Sequence, residues 1–102
     1  MAQFDVYRHA ARGAGIILLV DLQNKLLEGL ATRLVAPVYA LNERGVPVLR
    51  LNPVVEIEGK RYFVALQELS TARVKELGKK AATIEKWRDE IVAAIDLLIT
   101  GF

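Results

Sequence analysis

Apolar and polar residues alternate from Gln3 to His9, with Phe4 and Val6 on one side of an extended chain and Asp5 and Tyr7 on the other. This period of two predicts a strand. Arg12-Gly13-Ala14-Gly15 reads as a turn, because glycine reaches positive φ at little cost. Ile16–Leu22 is an apolar run interrupted only by Asp21 near its close, the pattern of a strand covered on both faces. Leu26–Leu30 reads as a loop or short turn around Gly29. Arg33–Leu41 is a third strand, and its Pro37, lacking a ladder donor, is expected at an edge or a bulge.

Asn42–Gly45 is polar and turn-like, and Val46–Leu51 and Pro53–Ile57 are expected as short strands. Glu58-Gly59-Lys60, between Ile57 and Arg61–Val64, has the signature of a tight hairpin. Gln67–Thr71 reads as a turn or helical turn, and Ala72–Leu77 as a further strand ended by Gly78. Farther on the period changes. Ile84, Trp87, Ile91, Ala94 and Leu98 recur at spacings of three and four, which puts them on one helical face. Thr83 is the expected N-cap and Gly101 the terminator. Glu85 suits the helix dipole, and Lys86 and Glu90 are spaced to pair. Short strands with frequent turns, then one helix, predict a mainly β (α+β) fold: a small antiparallel barrel or twisted sheet with a C-terminal helix.

The length of 102 residues fits a single domain, 1–102, with an apolar share of 53% that supports a folded core. A chain of this size buries roughly two-thirds of its unfolded surface, so further burial in an oligomer would help. The absence of cysteine excludes a disulfide framework, a thiol nucleophile and thiolate metal ligation. One histidine excludes His-pair metal sites, and no cofactor is expected. Met1–Tyr7 lacks the basic start and apolar block of a signal peptide, and the run from Ile16 to Val20 is far short of the ~20 residues that cross a bilayer. A cytoplasmic protein, not a membrane one, is expected.

Catalytic chemistry finds little support. His9 has no orienting partner in view and reads as a surface or structural histidine. Glu56 and Glu58 are expected on a solvated strand face, and no nucleotide-binding or hydrolase motif is present. Between Thr71 and Arg88 six cations outnumber two acids, yet aromatics are not interleaved with them, so a solvated linker before the helix is the simpler reading than a phosphate-binding stripe. The stretch Ile91–Phe102 carries one charge, at Asp96, so its apolar residues wrap most of the helix instead of forming a stripe. Such a tail is expected in its own core and a dimer seam, or against a partner. Leu26-Leu27, in a predicted loop, is either a core plug or part of the same contact surface.

Several segments, taken in order, resemble the CcdB toxins of plasmid and chromosomal toxin–antitoxin modules. They are Gln3-Phe4-Asp5-Val6-Tyr7, Leu19-Val20-Asp21-Leu22-Gln23 with Leu26-Leu27, Thr32–Val38, Leu51–Ile57 and the helix that runs to a glycine and one last apolar residue. The resemblance implies an SH3-like barrel with an added sheet and a C-terminal helix, assembled as a homodimer. It implies a non-enzymatic toxin that binds the A subunit of DNA gyrase, traps the cleaved-DNA complex and is neutralised by a CcdA-like antitoxin. Carried over by position, the gyrase contacts are Leu26, Leu27, Asp96, Ile99, Thr100, Gly101 and Phe102. Thr100-Gly101-Phe102 stand where the family typically has Trp-Gly-Ile, and Asp96 where it has a neutral amide. A second reading therefore keeps the fold and antitoxin binding without gyrase poisoning. A third, RNA cleavage by a MazF-like barrel, lacks a visible acid–base pair beside phosphate-binding groups.

Overall fold

The computed structural model describes residues 2–11, 15–41 and 47–101. Seven strands form one antiparallel sheet: β1 (Asp5–Ala11), β2 (Gly15–Asp21), β3 (Thr32–Ala40), β4 (Val54–Ile57), β5 (Lys60–Val64), β6 (Ser70–Arg73) and β7 (Lys80–Thr83). The order is β4-β5-β3-β2-β1-β7, with β6 also paired to β3, and the sheet curls into a half-barrel. Among the described residues one α-helix, α1 (Arg88–Thr100), follows. The mainly β fold with a C-terminal helix is thus the one expected. Among the described residues no helix is long and apolar enough to cross a membrane.

Strand alternation builds the core. Val6 on β1, Val20 on β2, Ala36 and Val38 on β3, Val55 and Ile57 on β4 and Val64 on β5 point to one side, where Ile84, Ile91 and Ala94 close over them. Burying each of the larger aliphatic side chains contributes about 1.5–3 kcal/mol. The opposite face of β1–β3 is also shielded: Tyr7, Leu19 and Val35 are buried there, as are Asp5, Asp21 and Arg33. The two-sided covering read from the run before Asp21 is therefore correct.

Several elements differ from expectation. β1 starts at Asp5, because Phe4 takes a positive φ of 70° while its N–H donates to the Asp21 carbonyl and its carbonyl accepts from Ile84. Pro37 lies in a central strand, in register with Leu19, at neither an edge nor a bulge. The N–H of Leu22 donates to Leu34 and that of Ala65 to Pro37, so odd positions of β3 turn their backbones away from β2. On that side β6 covers Thr32–Val35 and β5 covers Val38–Ala40, and the missing proline N–H falls in the gap between them.

Pro47–Leu51 is a turn and not a strand; the buried Asn52 side chain accepts from Val48 N–H and donates to the Val64 carbonyl and Gln67. Ala72–Leu77 divides into the end of β6 and a 3-10 turn at Val74–Glu76. β7 occupies what read as a linker. Thr83 ends that strand, and a 3-10 turn at Glu85–Trp87 precedes α1, so the helix starts at Arg88. The Glu58-Gly59 hairpin holds, with Ile57 opposite Lys60 and positive φ at both turn residues. Of the expected turn at Arg12–Gly15, Gly15 opens β2 and the rest lies outside the described residues, as does the expected turn at Asn42–Gly45.

Candidate partner-binding surface

The connection from β2 to β3 is tied down at almost every step. The Asp21 carboxylate accepts from Gln23 N–H at 2.9 Å, and the Asn24 side chain accepts from Leu26 N–H at 2.8 Å, starting a 3-10 turn at Lys25–Leu27. The Gln23 side-chain amide donates to the Leu27 carbonyl at 2.9 Å, while its oxygen accepts from Leu34 N–H at 3.2 Å. The turn is therefore stitched to β3 through one glutamine. From beneath, the Arg33 guanidinium donates to the carbonyls of Glu28 (2.7 Å), Leu30 (3.0 Å) and Thr32 (3.1 Å). What this framework presents is apolar: Leu26 is 92% exposed and Leu27 and Leu30 are each 52% exposed. The core-plug reading of Leu26-Leu27 is overturned. A plug points inward, whereas these two point to solvent.

The framework rests on buried charge. Arg33 Nε lies 3.6 Å from Asp21 Oδ2. Burial pushes the Asp21 carboxyl above its ordinary value, and the Gln23 N–H and the Arg33 charge only partly oppose that. Nearby, Asp5 pairs with Lys80 Nζ at 3.4 Å and accepts from the Tyr7 hydroxyl at 3.4 Å. Tyr7 is raised above its usual range, first by burial and then by the negative charge of Asp5.

The second apolar group lies on α1. Ile91 and Ala94 are buried, while Ile99 is 70% exposed and Val92 and Leu98 are more than one-third exposed. Asp96 and Thr100 are exposed, and the Thr100 hydroxyl donates to the Asp96 carbonyl at 2.7 Å. Gly101 is exposed with φ 83° and its N–H donates to Leu97, so it terminates the helix as expected. Phe102 lies outside the described residues. The leucine pair and the helix end thus occupy two separate elements, both uncovered in one chain.

Sequence reasoning missed a third exposed group, Val48 and Leu49 on the Pro47–Leu51 turn, the latter 88% exposed. Beside it Arg50, Glu90, Ala93 and Leu97 line a groove of about 230 Å³. It also missed the roles of Asp21, Gln23 and Arg33 under the leucine turn. The available signal was a charged residue closing an otherwise apolar strand, with a second charge placed to reach it. His9 is half-buried, and its Nδ1 is enclosed without a hydrogen-bond partner among the described residues.

A family model described as CcdB protein matches residues 3–101. The chain belongs to the CcdB family. No curated protein matches the sequence. Among solved structures, this CcdB-family chain resembles one described as an endoribonuclease in complex with its cognate antitoxin from Mycobacterial species, with a TM-score of 0.81, 14% identity, and coverage of 98% of this chain and 95% of that one. It also resembles the Mycobacterium tuberculosis toxin MazF-mt6, with a TM-score of 0.73, 15% identity, and coverage of 90% and 92%. At such identities the likeness establishes a shared fold and leaves the activity to be argued from the CcdB chain's own surface.

Proposed function

We propose that this CcdB-family chain is the toxin of a toxin–antitoxin module, a non-enzymatic cytoplasmic homodimer that binds the A subunit of DNA gyrase, traps the cleaved-DNA complex and is neutralised by an antitoxin. The observation that carries the reading is the exposure of Leu26 (92%) and Ile99 (70%) on supports that are hydrogen-bonded or packed into the fold. Leu27, Asp96, Thr100, Gly101 and Phe102 complete the contact set. A twofold dimer presents two such surfaces. Two linked contacts on a twofold target raise avidity well above either alone. Binding that favours an open gyrase conformation shifts its population without turnover.

The test is a supercoiling and DNA-cleavage assay with purified gyrase, alongside inducible expression in cells. A stabilised cleavage complex and growth arrest are expected. Their joint absence at micromolar protein overturns the gyrase reading.

One observation favours a second reading, the same fold and antitoxin binding without poisoning. Thr100 offers little area, and its hydroxyl is engaged with the Asp96 carbonyl of its own helix. A tryptophan at that position would supply the flat anchor typical of binding hot spots. Under this reading Thr100→Trp confers growth arrest that the unaltered chain lacks, and failure to do so in a correctly folded dimer rejects it.

A further inference from the structure

We propose that the free edge of β7 accepts an extended acidic segment of a partner polypeptide, which joins the sheet as an added strand. The proposal deepens the antitoxin part of the proposed function and rests on it only for the identity of the segment's owner.

The backbone supplies the first argument. β7 closes one end of the sheet and pairs only with β1 among the described residues. Ile84 donates to the Phe4 carbonyl, and Ala82 stands opposite Val6. Lys80 stands opposite Tyr7 and Thr83 opposite Asp5, with a bulge at Ala81 between them, so the N–H and C=O groups of Lys80 and Thr83 turn outward while the Ala81 N–H faces β1. An edge of this kind offers donors and acceptors in turn. A peptide strand satisfies both. A phosphodiester backbone offers only acceptors to it, and its charge would face the outward carbonyls.

Charge supplies the second. Lys75, Lys79, Lys80 and Lys86 are all exposed on β7 and the turns that flank it. Lys80 is paired with Asp5 and Lys86 lies over the Trp87 ring, whereas neither Lys75 nor Lys79 forms an ion pair among the described residues. Edge lysines repel a second copy of the same edge. The same charges favour an incoming strand that carries Asp or Glu, since opposite charges across a strand pair attract. The local excess of cations thus selects the partner as well as protecting the edge.

Space supplies the third. Ala82 packs toward the core. Ala81 faces a groove of about 180 Å³ that it shares with Arg8, Leu18 and Tyr62. A side chain of the added strand on that face can enter this groove, and alanine leaves it unobstructed.

The test uses the full chain and a fluorescein-labelled peptide alternating Glu and Val, read by anisotropy. Saturable, salt-sensitive binding is expected. Lys75→Glu with Lys79→Glu should weaken it about tenfold. Thr83→Pro should abolish it, because it removes an outward N–H that the β1 ladder does not use. Circular dichroism checks the fold of each variant. A peptide N-methylated at alternate residues, which should not bind, repeats the backbone test without altering the protein. Absence of binding, binding unchanged by Thr83→Pro and by N-methylation, or displacement of the peptide by a short single-stranded DNA of equal charge would each overturn the proposal. Gyrase poisoning is measured in parallel without peptide. Poisoning with no peptide binding rejects the edge alone, and peptide binding with no poisoning rejects the target alone.

Discussion

Arg33 places its Nε 3.6 Å from the Asp21 carboxylate, with both side chains almost completely shielded from water. The same guanidinium donates to the carbonyls of Glu28, Leu30 and Thr32. An ion pair inside the sheet is therefore wired to the turn that displays Leu26. Replacing Arg33 by Met leaves a buried carboxylate without its cation and three carbonyls without a donor. The expected loss is about 3–5 kcal/mol, measured by urea denaturation. Amide exchange across Lys25–Leu30 should quicken more than exchange in β4 and β5.

The Asp21 carboxyl gives this site a pH signature. Its folded-state value is raised by burial. The folded protein then holds this proton more tightly than the unfolded chain does. The group's stabilising contribution is full below the ordinary carboxylate value of 3.8 and is lost as pH rises through the raised folded value. Urea midpoints of the unaltered protein and Asp21→Asn, followed over that window, should show this directly: relative to the variant, the unaltered protein loses stability as pH rises. A difference that is constant with pH would contradict the raised value.

Leu26 and Ile99 are exposed, so charging them should leave the fold nearly unchanged. Leu26→Asp and Ile99→Asp are expected to shift stability by less than about 0.5 kcal/mol in thermal melts. Gyrase binding, followed by surface plasmon resonance, should fall in each. A large loss of thermal stability would show that these side chains support the fold and are not presented to a partner.

The β4–β5 hairpin turns on Glu58 and Gly59, with φ of 51° and 78°. Both values belong to the left-handed region that Asn-Gly fills best. Glu58→Asn should stabilise the protein by about 0.5–1 kcal/mol in chemical denaturation, provided that the exposed Glu58 side chain contributes little where it stands.

Strong periodic signals were legible in the sequence: the alternation in β1, the two-sided run of β2, the Glu58-Gly59 turn and the Ile91-Ala94 face of α1. What escaped depended on partners distant in the chain. Pro37 looked like an edge residue because its single-strand chemistry says so; only the meeting of β5 and β6 beside β3 creates the gap that accommodates it. Lys79 and Lys80 disguised β7 as a linker, since exposed edge strands carry the charges that loops carry. Thr83 has good N-cap chemistry, but its hydroxyl accepts from Glu85 N–H and serves that turn instead of the helix farther on. Of the candidate surface, the apolar residues were visible and their supports were not. Asp21, Gln23 and Arg33 act across strands, where spacing along the chain carries no information.

The Lys25–Leu30 turn owes its shape to Gln23, Asn24 and Arg33, which grip backbone atoms and ignore the side chains on display. Recognition and architecture are thereby uncoupled. Residues 26, 27 and 30 are free to drift under selection for a new target while the mounting beneath them stays fixed, which makes this turn the natural place for a lineage, or an engineer, to rewrite specificity.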